Sequence, residues 1–268
     1  MKKLLAILLL LSYNLSWAWT QTPPRPMEQC LAEAPWGFPQ GKSGALLCRL
    51  GYATSVDVPA RLPMWTVYTL TPKEAIGCWP RTNAFVADHY FRKGDRAEPD
   101  DYAGTGYDKG HVAPDGDMSW DEQVEYESFL MTNMMPQKGG LNRGIWKLLE
   151  THIRAWTVQK NTEVTIYAGP IYKMGVDPTI GKNRVVVPHA FYKIVIDNSS
   201  RDVLAFIFAH EGGQGNNLNV ALSTVAEVEK RTGLRFPIPK NANLKKNVND
   251  FPVDFGALTN AKRAMCKK

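Results

Sequence analysis

Residues 106–118 constrain this chain more than any other part of its sequence. They read Gly-Tyr-Asp-Lys-Gly-His-Val-Ala-Pro-Asp-Gly-Asp-Met, which places an aspartate, a lysine and a histidine within four residues. A segment that only packs into a core would more often carry Val, Ile or Leu. Gly110 and Pro114 also indicate a backbone held in a special shape. The stretch therefore predicts a site of chemistry.

The histidine of this stretch is the candidate base. To take a proton from water, His111 needs a pKa near neutrality, a fixed tautomer and room for a substrate. Asp108 is expected to orient or stabilise His111, Lys109 adds a positive charge, and Gly110 allows close approach of backbone or phosphate. The alternative is that His111 caps a strand while Asp108 pairs with Lys109 at the surface.

A helix predicted from about residue 141 carries a second set of polar groups. Its inward stripe recurs at steps of four, three, four and three, through Asn142, Trp146, Leu149, Ile153 and Trp156. Glu150 lies on the same broad side, roughly 12 Å from Asn142 along the axis. An inward amide oxygen and a carboxylate suit Mg²⁺, directly or through its waters. Alternatively, Asn142 caps the helix and Glu150 is solvated.

The rest of the pattern predicts one α+β domain, with no internal repeat and no long linker. Strands are predicted over residues 64–70, 164–168, 183–187, 190–196 and 203–210. Weaker helical patterns cover residues 121–131 and 220–232, the second ending at a glycine.

The N-terminus has the pattern of an export signal. Two lysines precede the aliphatic residues 4–11, and Ser-Trp-Ala at 16–18 supplies the small residues that a signal peptidase reads. A membrane anchor is the alternative, but the apolar run is shorter than the roughly 20 residues of a spanning helix. Cleavage after residue 18 would leave 30 basic residues of the original 32 against 26 acidic ones, a net charge of +4. Such a surface favours polyanionic partners without excluding other functions.

The four cysteines lie in the part of the chain that would be exported, where disulfides persist. They lack the paired CxxC spacing of a zinc site and are predicted to form disulfides. Three pairings are open, and Cys30–Cys48 is favoured because it is local.

Several of these motifs together resemble a known family. Residues 106–114 are similar to the Asp-Arg-Gly-His signature of the DNA/RNA non-specific endonucleases, the family of mitochondrial endonuclease G and the secreted bacterial nucleases. Further similar segments follow in the family's order, at residues 132–137, 141–150, 168–172, 187–193 and 232–237. The resemblance spans about residues 51–239. Together with the export signal at 1–18, this predicts an N-terminal extension with a disulfide at 19–50 and a nuclease domain at 51–268.

The resemblance implies an α+β, ββα-metal fold, with a central antiparallel sheet flanked by helices. His111 would then be the general base that activates water against a phosphodiester. Asn142 would be the one direct protein ligand of a Mg²⁺, with Mn²⁺ as the alternative ion. Glu150 would order the waters of the metal, and Asn133 would support the site.

One position departs from the family's signature. The usual arginine is Lys109 here, which lacks the bidentate fork and would orient phosphate more loosely. Arg81 resembles a family arginine that contacts substrate phosphate, and a surface arginine is its alternative reading. Arg143 is a weaker candidate for substrate binding.

These observations predict an exported, metal-dependent endonuclease that binds DNA and/or RNA through the phosphate backbone. It would work in the periplasm or outside the cell, with no stable membrane association after signal cleavage, and a homodimer is compatible with the sequence. One alternative is a catalytically weak protein of the same fold that binds nucleic acid without cutting it. Another is a phosphodiesterase for a different diester.

Overall fold

The computed structural model describes residues 21–42, 44–212 and 215–266. The signal peptide predicted at residues 1–18 lies outside these ranges. Within them, no helix combines the length and the apolar character needed to cross a membrane.

The described residues form an α+β fold around one large sheet. Its eight strands follow the order β1-β2-β3-β6-β9-β10-β11, and β12 pairs with β10. All pairings in it are antiparallel except that between β10 and β12. The strands are β1 (Ala45–Cys48), β2 (Ala53–Asp57), β3 (Leu62–Leu70), β6 (Val164–Ile171), β9 (Ala190–Asp197), β10 (Asp202–Ala209), β11 (Leu222–Ser223) and β12 (Asn243–Leu244).

Two separate strand pairs and seven α-helices accompany this sheet in the described residues. The pairs join β4 (Tyr107–His111) to β5 (Met134–Lys138), and β7 (Thr179–Ile180) to β8 (Val185–Val186). The helices are α1 (Pro72–Ile76), α2 (Asp115–Met118), α3 (Glu122–Ser128), α4 (Gly139–Leu141), α5 (Lys147–Lys160), α6 (Val225–Thr232) and α7 (Phe255–Met265). The predicted central antiparallel sheet flanked by helices is confirmed.

The sheet buries both of its faces, because successive side chains of each strand point to opposite sides. One face packs against α5 and the turn before it, where Trp146, Leu149, Ile153 and Trp156 meet the strands. The other face packs against α6 and the disulfide-bonded N-terminal segment. With helices covering it on both sides, β9 is buried along its whole length. The sheet therefore provides a rigid base beneath α5.

The predicted 141–156 helix is interrupted at its start. Helix α4 leads into a π-helical turn, Asn142–Trp146, in which Gly144 leaves helical geometry with φ −100° and ψ −118°. Regular α-helix resumes only at Lys147. Asn142 and the later tryptophans therefore do not share one continuous stripe, and Asn142 is only partly buried.

Three other predicted elements are shorter in the structure. The 183–187 strand is reduced to Val185–Val186, since Arg184 adopts a left-handed φ of 58°. The 220–232 helix begins at Val225, because the Thr224 side chain accepts a hydrogen bond from the Glu227 amide and caps it. The 121–131 helix covers Glu122–Ser128, with Asp121 as its N-cap.

Two disulfides lie within the described residues, one local and one between distant parts of the chain. The favoured Cys30–Cys48 pairing is confirmed, and it fastens the segment before β1 to that edge strand. A second disulfide, Cys78–Cys266, joins the loop after α1 to the end of α7. The predicted extension of residues 19–50 thus contributes β1 to the large sheet.

Candidate active site

The β4–β5 hairpin and the helical segment after it form a ββα unit. In the hairpin, His111 stands opposite Met134 and Asp108 opposite Gln137. A Cβ at Gly110 would clash with the Gln137 side chain. Gly110 therefore allows the Gln137 side chain of β5 to lie close against β4.

His111 is held among aromatic rings at the end of β4. Its ring meets Phe129 edge-on with centroids 4.8 Å apart, and Phe85 lies 5.7 Å away. The residue is 8% exposed, and its Nε2 finds no hydrogen-bond partner among the described residues. Burial, with a smaller effect of the Arg81 charge, lowers the His111 pKa from 6.5 to about 3. The imidazole is therefore neutral at physiological pH and can accept a proton.

Asn133 fixes the chain that leaves His111. This fully buried amide accepts a hydrogen bond from the Ala113 amide (3.0 Å) and donates to the carbonyls of Ala113 and Ser128 (2.8 Å each). The Val112 amide donates to the Asn133 carbonyl at 3.0 Å. Both residues that follow His111 are thus tied to Asn133, as a supporting role requires.

Asp108 contacts the proposed metal ligand instead of the base. Strand alternation places the Asp108 and His111 side chains on opposite faces of β4. The Asp108 carboxylate accepts a hydrogen bond from Asn142 Nδ2 at 3.0 Å and lies 3.3 Å from Arg143 Nε. The expectation that Asp108 orients His111 is therefore corrected: in this geometry it orients Asn142.

These elements enclose a polar cavity of about 340 Å³. Its lining includes the predicted residues Arg81, Lys109, His111, Asn142, Arg143 and Glu150. Of the remaining predicted site residues, Asp108 binds the lining residue Asn142, and Asn133 binds Ala113, which precedes the lining residue Pro114. The structure thus brings together residues that lie up to 69 positions apart in the chain.

The cations at the cavity are held by different partners. Arg81 forms an ion pair with Asp115 at 3.0 Å and lies over the Phe129 ring, but its side chain stays 43% exposed. The Lys109 ammonium lies 5.2 Å from the centroid of the Phe85 ring. Arg143 is 75% exposed. All three guanidinium or ammonium groups therefore remain available to an anionic ligand.

Glu150 forms the inner wall of the cavity and is buried beside other charges. Its Oε1 lies 3.5 Å from Lys193 Nζ. One helical turn later, Arg154 binds Asp117 at 2.6 Å, and Asp117 also accepts a hydrogen bond from the Tyr68 hydroxyl at 2.7 Å. Burial raises the pKa of Glu150, and the neighbouring Lys193 charge opposes that shift.

Sequence reasoning missed several cavity residues. Lys147, Arg154 and Asp115 also line the cavity, and Lys193 lies behind it. Arg154 was detectable, because it follows Glu150 by one helical turn and must share its face. No local pattern marks Lys193, which reaches the site only through the pairing of distant strands.

The other histidines serve contacts away from the cavity. His210 accepts a hydrogen bond from the Lys138 amide at 2.8 Å and also contacts the Pro188 carbonyl. His152 contacts the Phe251 carbonyl at 2.7 Å, and His189 pairs with Asp177 at 2.9 Å. None of these three histidines lines the cavity.

The donor set fits a hard cation bound mainly by water and substrate. Within the described residues, no group of three or more His, Cys, Asp or Glu side chains could hold a metal ion. Asn142 uses its amide nitrogen to bind Asp108, which leaves its oxygen to serve as a ligand. Mg²⁺ commonly keeps several waters and takes few protein ligands, so one amide oxygen with a nearby carboxylate suits it.

Comparison with known proteins gives consistent results. The sequence profile of the DNA/RNA non-specific endonucleases matches residues 34–243. A nuclease of Nostoc sp. is 30% identical over 215 residues, covering 76% of this chain and 77% of that protein. A nuclease of Serratia marcescens is 27% identical over 239 residues, covering 84% and 88%. The solved structure of an EndoG/EndoGI complex matches with a TM-score of 0.73 and 27% identity, covering 82% of this chain and 96% of that one.

Proposed function

This chain belongs to the DNA/RNA non-specific endonuclease family, and on that premise we propose that it cleaves DNA and RNA by metal-dependent hydrolysis with His111 as general base. The ββα-metal fold and the assignment as a nuclease follow from the family and from the likeness to EndoG. The observation that carries the catalytic proposal is the buried, neutral imidazole of His111 opening on a cavity that also holds Asn142.

His111 would take a proton from the attacking water. With a pKa of about 3 the free imidazole is a weak base, because it is buried and faces the charge of Arg81. A phosphodiester bound at Arg81 brings a negative charge that offsets the guanidinium. The substrate would therefore raise the His111 pKa toward the range in which a general base is efficient. Phe85 and Phe129 keep the ring in place during the transfer.

Asn142 would hold the metal ion and Glu150 would accept hydrogen bonds from its waters. When bound, a divalent ion supplies positive charge that stabilises the phosphate and the leaving oxygen. Asp108 fixes the Asn142 amide, so that its oxygen is the ligand atom. Mg²⁺ is the proposed ion, and Mn²⁺ is the alternative that the same oxygen donors accept.

The cations around the cavity would recognise the phosphate backbone. Arg81, Lys109 and Lys147 line it together, and Arg143 extends the positive surface outward. Contacts to phosphate carry no direct sequence information, so base preference should be small. Binding should weaken steeply with salt, because each neutralised phosphate releases counterions.

We also propose that the protein is exported, with residues 1–18 as a cleaved signal peptide and residues 51–268 as the nuclease domain. Two disulfides among the described residues support an oxidising compartment, which is periplasmic or extracellular. The second disulfide closes a span of 188 residues, and its bond would be reduced in a cytosol. A homodimer is compatible with these assignments.

Cleavage assays on the chain lacking residues 1–18 test the proposal. Plasmid DNA, single-stranded DNA and RNA should each be degraded with Mg²⁺ and spared with EDTA, with Mn²⁺ as a parallel arm. His111→Ala should abolish cleavage while the fold persists. His89→Ala is the matched control, since that side chain is exposed away from the cavity lining.

Two results would contradict the proposal. Near wild-type cleavage by His111→Ala would refute the role of the base. Gel-shift binding of nucleic acid without cleavage at any divalent metal would instead indicate a protein that binds without cutting. A panel of small phosphodiesters separates nuclease activity from hydrolysis of another diester.

A further inference from the structure

A lysine is fully buried behind the active-site cavity. Lys193 lies in the middle of β9, between Phe191 and Val195 on the face that packs against α5. Its side chain is 0% exposed, and its Nζ lies 4.4 Å from the centroid of the Trp146 ring. Its ion-pair partner is Glu150, whose Oε1 lies 3.5 Å from Nζ, the outer limit of hydrogen-bonding distance. No closer hydrogen-bond partner exists among the described residues.

Packing alone gives no reason for a lysine at this position. Lysine is almost never fully buried unless it is paired, and removing an ammonium from water costs several kcal/mol. Replacing a buried ion pair by apolar residues of similar volume is often neutral or stabilising. A methionine would fill the space between Trp146 and the sheet at less cost. The charge therefore has a use other than stabilising the fold.

The charges around Glu150 indicate what that use is. Four elements place groups against the carboxylate: Lys193 on β9, Arg154 on α5, Asp117 on α2 and Tyr68 on β3. Asp117 disfavours the ionised form of Glu150, and burial disfavours it further. Arg154 is engaged with Asp117 at 2.6 Å. Of these four groups, Lys193 is therefore the one that most strongly favours the ionised form of Glu150.

Glu150 connects this buried ammonium to the chemistry. Its carboxylate lines the same cavity as His111 and Asn142, while its other side meets Lys193. A neutral carboxylic acid would have only one oxygen free of a proton and would carry no charge toward a cation or its waters.

We propose that Lys193 is a positioning residue for the nuclease reaction, whose buried ammonium holds Glu150 as an anion facing the cavity. The inference rests on the proposed function of Glu150 in ordering the waters of the metal. It predicts that Lys193 acts only through Glu150. Supporting partners of this kind typically change activity by about 10- to 100-fold when removed.

The expected effect of Lys193→Met depends on pH. Burial and Asp117 raise the pKa of Glu150, and the Lys193 ammonium opposes them. Without the ammonium, Glu150 takes up a proton at a higher pH than in the wild type. Loss of kcat/KM should therefore be greatest at acid pH and should shrink as the pH rises. A role limited to packing would lower kcat/KM by the same factor at every pH.

A double-mutant cycle with Glu150→Gln tests the connection. We would measure kcat/KM for one single-stranded oligonucleotide from pH 5 to pH 9 with the wild type, each single variant and the double variant. The effects should be non-additive, with Lys193→Met costing less than threefold once Glu150 is Gln. Lys160→Met is the matched control, because Lys160 lies 5.1 Å over the Trp156 ring at the exposed end of α5. It should change neither the rate nor the pH profile.

Additive effects, or a pH-independent loss, would overturn the proposal. If Lys193→Met does not fold, a carbon-13 titration of the Glu150 carboxyl in the wild type decides, with Glu150→Gln assigning the signal. Ionisation at neutral pH supports the proposal, and a protonated Glu150 there refutes it. A wild type that cleaves no nucleic acid would contradict the proposed function instead. Because the titration needs no catalysis, it distinguishes failure of the Lys193 proposal from failure of the proposed nuclease function.

Discussion

Replacing Asn133 with alanine would remove three buried hydrogen bonds behind His111, the proposed general base. The amide accepts from the Ala113 amide and donates to the Ala113 and Ser128 carbonyls, at 2.8 to 3.0 Å. A typical net contribution is about 1 kcal/mol for each bond, and a buried amide left without a partner costs about 1–3 kcal/mol more. We therefore expect Asn133→Ala to lower the free energy of unfolding by about 4 kcal/mol.

Urea unfolding with both disulfides intact measures this loss. At roughly 3 kcal/mol per M, a slope suited to a domain of this size, the midpoint should fall by more than 1 M with an unchanged slope. Asn243→Ala is the control, because that amide makes an exposed bond to Asp202. It should stay within about 0.5 kcal/mol of the wild type, as surface substitutions generally do.

The same variant should also lose activity under conditions in which it is fully folded. Ala113 lies two residues after His111, so the freed segment lets the imidazole move, and kcat should fall by about 10- to 100-fold. Asn133→Asp keeps the acceptor for the Ala113 amide but turns the donor into an oxygen that faces two carbonyls. It should be no more stable than Asn133→Ala. A loss below 1 kcal/mol for Asn133→Ala would refute the role assigned to this network.

Three further predictions concern Lys109, the Cys78–Cys266 disulfide and His111. Lys109→Arg should lower the KM for polymeric DNA severalfold by adding a bidentate fork; unchanged rate and substrate preference would show that fork geometry does not matter here. Replacing Cys78 and Cys266 by serine should lower the free energy of unfolding by up to about 5 kcal/mol in oxidising urea titrations, because the bond closes a 188-residue span; a change below 1 kcal/mol contradicts this. Since burial lowers the His111 pKa from 6.5 to about 3, the unfolded chain binds that proton first, and stability is lost as pH falls through this range. His111→Phe should lose less stability between pH 7 and pH 4 in thermal unfolding, and an equal loss would disprove the assignment.

Local patterns predicted the elements of this fold better than their ends. The strands at 64–70, 190–196 and 203–210 were recognisable because β-branched and aromatic residues fill both faces. The 183–187 strand was shortened by the left-handed turn residue Arg184, and the 220–232 helix by the cap at Thr224. Such boundaries depend on single backbone angles and hydrogen bonds that residue type alone does not fix.

The candidate site was predictable where its residues belong to the motifs of the family. His111, Asn142 and Glu150 line one cavity, as the resemblance implied. The partner of Asp108 was mistaken, because proximity in sequence suggested His111 whereas alternation along β4 turns the two apart. The sequence could not predict the position of Lys193, because its contact with Glu150 requires the pairing of β9 with β6 and the packing of α5 on that sheet.

The irregular helical turn at residues 142–146 sets the orientation of Asn142 relative to Glu150, the two residues of the proposed metal site. Asn142 precedes the turn and Glu150 follows it, within the regular helix that starts at Lys147. Gly144 interrupts the helical path between them, and each residue of an α-helix advances the chain by about 100° and 1.5 Å. Deleting one residue from this turn would therefore swing Asn142 by more than a quarter of a revolution relative to Glu150. The relative orientation of the two side chains therefore depends on the number of residues in this irregular turn. With a regular helix at this position, the Asn142 amide would face a different side of the cavity.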